Sequence, residues 1–178
     1  MTQAAPPHGM PPLQIRRASP DDAPRLAVLA SQVWLHTYAT EGIDDEIAAY
    51  VLAELTPAKY LVLLSAATTH CSMATQDGRL VGFSLLRLGA PCPVPADATA
   101  ELQTLYVQAH STGRGIGSQL LAAAQAVAQA PLWLTVNARN ARAIAFYARH
   151  GYARRGTTHF TLGQGRHENH VLVGRAVG

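Results

Sequence analysis

Thr112-Gly113-Arg114-Gly115-Ile116-Gly117-Ser118 sets three glycines between a strand-like stretch and a helical one. Before it, Ala100 to Val107 carries apolar Leu102, Leu105 and Val107 and reads as a strand. After it, Ile116, Leu120, Ala124 and Val127 keep helical spacing through the stretch from Ser118 to Gln129, and Pro131 ends the helix. Strand, glycine-rich turn and helix together make a seat for an anion. The first turn of a helix leaves backbone N–H groups unpaired, and the helix dipole adds about half a positive charge there. Glycine has no Cβ, so that backbone can approach a diphosphate closely. Arg114 can add a charge-assisted bond.

Which anion is bound narrows by exclusion. A Walker loop needs Lys followed by Ser or Thr after its last glycine, and neither pair stands here. A dinucleotide turn counted from Gly113 and Gly115 needs glycine or alanine at 118, which is Ser118. An ordinary glycine-rich loop stays open on this segment alone. Downstream, Leu132 to Val136 is a short apolar strand of the kind buried on both faces. Asn140 to His150 reads as a helix closed by Gly151. Asn140, Ala143 and Tyr147 fall at i, i+3 and i+7, which puts an amide and a phenol on one helix face.

Towards the N-terminus, residues 1–12 hold four prolines and a glycine and read as a flexible tail. Leu13 to Arg17 alternates like a half-buried strand, and Ser19-Pro20-Asp21-Asp22 looks like a helix start. Leu26, Leu29 and Val33 give that helix its apolar face. A second helix is expected from Asp44 to Leu55, and a third from the Thr56-Pro57 cap through Leu64. Cys71 to Gln76 and Leu80 to Leu88 read as strands joined by a hairpin turn at Asp77-Gly78. Pro91, Pro93 and Pro95 force a loop, since each removes a ladder donor. Two more strands, near Arg154–Leu162 and Asn169–Arg175, end the chain, so residues 13–178 read as one α/β domain.

Composition excludes several classes. Apolar residues make up 48% and charged residues 14%, the balance of a folded chain. No stretch approaches the roughly 18–20 apolar residues of a membrane span, and the start lacks the basic-then-apolar order of a secretory signal. A cytoplasmic location with no membrane partner is the expectation. The formal charge of +3 is mild for a nucleic-acid binder, and no nucleic-acid partner is expected. Cys71 and Cys92 match no metal or redox spacing. His167-x-x-His170 with Glu168 lacks an evident third ligand and is expected to lie in or beside a hairpin turn, so no metal is expected.

The segment from about Ala98 to Tyr152, about a third of the chain, resembles the GCN5-related N-acetyltransferase (GNAT) superfamily. Its pieces stand in that family's order: Leu102–Val107 as the central strand, the glycine turn, Leu132–Val136, then Asn140, Ala143, Tyr147 and His150-Gly151-Tyr152. Gly115 and Gly117 match the family's Q/R-x-x-G-x-G/A turn, and Thr112 departs from its leading residue. Trp34-Leu35-His36-Thr37-Tyr38 and the tail from Phe160 to Leu172 are similar to bacterial spermidine/spermine acetyltransferase-like members.

That resemblance implies a mixed, mostly antiparallel sheet of six to seven strands with a splayed parallel pair and about four flanking helices. It implies acetyl-CoA as co-substrate. The backbone of Leu105, Tyr106 and Val107 would pair with the pantetheine arm, and Gly113, Arg114, Gly115, Ile116, Gly117 and Ser118 would seat the diphosphate. Asn140 would bind the arm, and Tyr147 would lie near the sulfur. The acceptor would be an amine on a small molecule, such as a polyamine, or on a protein; a homodimer is in keeping with the family. An aliphatic amine, with a pKa near ~10.4, must lose a proton before it attacks. Glu101 is the expected base and Tyr147 the expected acid. His36 and Tyr38 are further candidates for the acceptor pocket. A catalytically inactive acetyl-CoA-binding regulator is the alternative.

Overall fold

Seven strands form one sheet in the order β1-β2-β3-β4-β5-β7-β6. They are β1 (Gln14–Arg17), β2 (Thr69–Gln76), β3 (Arg79–Leu88), β4 (Ala100–Val107), β5 (Leu132–Asn137), β6 (Ala153–Leu162) and β7 (Gly165–Val173). The helices are α1 (Ala23–Tyr38), α2 (Asp45–Glu54), α3 (Pro57–Ser65), α4 (Ile116–Ala128) and α5 (Ala141–Arg149), one more than the family resemblance implies. The computed structural model describes residues 12–163 and 165–174, so the expected tail, Pro12 apart, and the end of the last expected strand lie outside the described residues. Among the described residues no single helix is long and apolar enough to cross a membrane.

Local chemistry explains most of the boundaries. Asp77 and Gly78 both take positive φ, 48° and 71°, the geometry a two-residue hairpin turn requires between β2 and β3. Asp44 Oδ1 accepts from the Ile47 N–H and Thr56 Oγ1 from the Lys59 N–H, capping α2 and α3. The start of α1 differs from expectation. Ser19 Oγ donates to the Asp22 carboxylate, and a single 3-10 turn, Pro20–Asp22, precedes the helix. Asp22 is buried and takes two hydrogen bonds from Arg16, at 2.7 and 2.8 Å, and another from Arg25. Those bonds, Arg16's foremost, hold its carboxyl well below the usual carboxylate range.

Among the described residues the one parallel pairing is β4 with β5, joined by the crossover through α4. Helices α4 and α5 cover one face, around Leu102, Leu121, Leu134 and Tyr147. Helices α1 and α3 cover the other, around Leu26, Tyr60, Met73 and Phe83. β5 is buried except at Thr135, which is exposed, and at half-buried Asn137. The last strand begins at Gly165 rather than Asn169, so His167 and Glu168 sit in the β6–β7 ladder, just past its turn.

Candidate active site

Parallel pairing between β4 and β5 stops almost as soon as it starts. Ala100 pairs with Leu132 and Glu101 with Trp133; beyond them the strands diverge. β4 stays paired to β3 through Val107, opposite Gly82, so its other edge is open to β5 from Leu102 onward. An open edge offers ladder donors and acceptors to an extended ligand. The fork leads into a cleft of about 1110 Å³.

At the wide end stands the glycine turn. Gly113 and Gly115 take φ of 78° and 77°, left-handed values that disfavour any residue with a Cβ. Gly117 serves another purpose. A Cβ there would lie 3.4 Å from the ring of Phe146, so α4 and α5 approach one another over this glycine. With the turn so bent, the N-terminus of α4 opens onto the cleft, and Gly113, Gly115, Ile116, Gly117 and Ser118 all line it.

The opposite wall is one face of α5, where Asn140, Ala143 and Tyr147 line the cleft as their spacing predicts. Asn140 caps α5, its Oδ1 accepting from the Ala143 N–H at 3.0 Å, which leaves the amide nitrogen as its hydrogen-bonding group for a ligand. Tyr147 is 8% exposed and packs edge-on against Phe146 and Tyr152. Burial first, and the nearby Tyr152 second, push its phenol well above the usual range. It keeps its proton across the physiological range.

Not every predicted residue comes to the cleft. Leu105 and Val107 line it, whereas the Tyr106 side chain points to the α1–α3 face and meets Phe83 edge-on at 5.7 Å. Only the Tyr106 backbone remains available for pairing. Arg114 is turned away, its guanidinium donating to Gln76 Oε1 at 3.0 Å. Glu101 sits at the apex of the fork rather than in the wall, 3.3 Å from Arg87. Burial raises its pKa and Arg87 opposes the rise.

The cations that do line the cleft are Arg139, Arg142 and Arg149, on and just before α5. Sequence reading missed this role. The signal was a pair, Arg142 and Arg149, seven residues apart on the Tyr147 helix. His36 and Tyr38 line the other end, with Tyr38 packed on Trp34 at 4.8 Å and Trp34 stacked on Tyr50 at 4.6 Å. His167 also reaches the cleft. Among the described residues no cluster of three His, Cys, Asp or Glu could hold a metal.

The model for the acetyltransferase (GNAT) family matches residues 29–152. N-acetyltransferases of Mycobacterium bovis and Mycobacterium tuberculosis, both described as uncharacterised, are 31% identical over 156 residues, covering 85% of this chain and 96% of theirs. In fold, the chain is similar to the PaiA N-acetyltransferase of Thermoplasma acidophilum, solved with coenzyme A (TM-score 0.74, 23% identity, 92% of this chain and 99% of that one). It is also similar to a GNAT-family acetyltransferase of Streptococcus pneumoniae (TM-score 0.66, 22% identity, 94% and 100%). With the forked strands and the glycine turn already in place, these matches identify the chain as a member of the acetyltransferase (GNAT) family, acyltransferases whose co-substrate is acetyl-CoA.

Proposed function

We propose that the protein transfers the acetyl group of acetyl-CoA to a primary amine by direct attack within a ternary complex. The observation that carries this is the fork. An open β4 edge runs into the N-terminus of α4, with the Tyr147 phenol on the facing helix. The cleft fits the co-substrate along its length. Leu105 to Val107 present an unpaired backbone edge to an amide-bearing arm, the turn at Gly113–Ser118 presents N–H groups to a diphosphate, and the α5 arginines add positive charge. When bound, acetyl-CoA supplies an activated acyl carbon and a thiolate leaving group.

The chain's own residues then have separate tasks. Glu101, half-buried with its pKa raised, accepts the amine proton directly or through water. Tyr147 donates a hydrogen bond to negative charge growing on the leaving sulfur. A phenol with so high a pKa suits that bond better than full proton transfer. The amine approaches from the end lined by His36, Tyr38 and His167. Small-molecule and protein amines both fit this chemistry.

Thiol release measured with acetyl-CoA and an amine panel, from polyamines to amino acids to peptide N-termini, tests the proposal. Turnover with at least one amine, following sequential kinetics, is the expected result. Tight CoA binding without turnover on any of them would favour the regulator instead.

A further inference from the structure

His150 caps α5 and reaches across to α4. Its Nδ1 lies 2.8 Å from the Phe146 carbonyl oxygen and its Nε2 lies 2.9 Å from Ser118 Oγ. The Phe146 ring rests against the imidazole, centroids 4.4 Å apart. A carbonyl only accepts, so Nδ1 carries a proton in either charge state of the ring. In the neutral ring Nε2 is therefore a lone pair, and the Ser118 hydroxyl donates to it.

This has a consequence for the turn. Ser118 lies in the first turn of α4 and lines the cleft. While its single proton is committed to His150, it shows only lone pairs to an approaching anion. Protonation of His150 reverses the bond. Nε2–H then donates to Ser118 Oγ, and the hydroxyl proton swings towards the cleft with a positive charge behind it. We propose that seating the diphosphate of the co-substrate is coupled to uptake of one proton from solvent by His150, with Ser118 as the positioning residue that relays it. The proposal rests on the reading of Gly113–Ser118 as the diphosphate seat.

Besides Ser118 and His150, the charged and titratable groups that line the cleft are Arg139, Arg142, Arg149, Tyr38, Tyr147, His36, His110 and His167, and no Asp or Glu lines it among the described residues. The arginines stay charged throughout. The sign follows from uptake: affinity rises as pH falls.

Isothermal titration calorimetry with dephospho-CoA tests this, because that probe keeps the diphosphate and lacks the titrating 3′-phosphate. Binding heats at pH 7 in buffers of different ionisation enthalpy should show proton uptake by the wild type, with a Kd several-fold lower at pH 6 than at pH 8. His150→Phe, which keeps the packing on Phe146, should bind without that uptake. Ser118→Ala should lose most of the pH dependence of Kd. Uptake that persists in His150→Phe would overturn the proposal, and so would a pH dependence untouched in Ser118→Ala. Histidine nitrogen NMR checks the starting state independently. The neutral His150 ring should be the Nδ1–H tautomer, and the other tautomer would contradict the relay. If the wild type binds neither CoA nor dephospho-CoA, the diphosphate seat itself fails.

Discussion

The two ends of the cleft are built from different material. The proposed co-substrate end offers backbone: a strand edge left open by the fork, and helix N–H groups exposed by two left-handed glycines. The proposed acceptor end offers side chains: His36, Tyr38 and His167, with Trp34 and Tyr50 stacked behind. Backbone recognition depends on chain geometry, so it leaves glycine and strand patterns in the sequence. Side-chain recognition depends on which residues three separate elements bring together, and leaves no local pattern. The difference explains why the co-substrate can be read so much further than the amine.

Breaking the junction of the two ends should have the largest effect. Tyr147→Phe removes one hydroxyl and leaves the packing on Phe146 and Tyr152. Turnover should fall by about a hundredfold or more, the usual range for a lost hydrogen bond to charge that develops in the transition state, while CoA affinity stays nearly constant. Equal loss of both would make Tyr147 a binding residue instead.

Next in size is the backbone end. Gly117→Leu places a branched side chain where a Cβ alone would already touch the Phe146 ring, and α4 must shift away from α5 to hold it, an overpacking cost of about 1–3 kcal/mol in stability. CoA affinity should fall with that shift. Calorimetry with CoA reads the change; an unaltered Kd would mean that α4 and α5 need not approach so closely. The side-chain end should respond more gently. Tyr38→Ala removes an aromatic wall from the proposed acceptor end, so the amine KM should rise several-fold with CoA affinity unmoved. A matching fall in CoA affinity would show that the two ends are not separable.

At the apex of the fork the effect is read in the pH profile. Glu101 must be ionised to accept a proton, so kcat/KM should fall as pH drops through its raised pKa. Arg87 holds that pKa down, and Arg87→Met should move the acid limb of the profile to higher pH. Glu101→Gln should remove the limb. A profile indifferent to both substitutions would transfer the base role to ordered water.

Legibility followed the same division. The Asp77-Gly78 turn, the Thr56 cap of α3, and the Asn140–Tyr147 face are local, set within a few residues, and the structure shows each of them. The start of β7 was placed four residues late, since Arg166 to His170 carries no apolar alternation and becomes strand only by pairing with β6. Its place in the turn predicts Arg114 as a phosphate ligand, yet its side chain turns to Gln76, 38 residues away in sequence. The cationic side chains that line the cleft are those of Arg139, Arg142 and Arg149.

By itself, then, the sequence determined the elements, the bend of the glycine turn and the family, because each depends on φ preferences and short-range periodicity. The tertiary structure alone decided where β4 and β5 part, which cations reach the cleft, and that His150 meets Ser118 across 32 residues. Those features are contacts between distant segments. They exist only after the sheet and its two helices have packed.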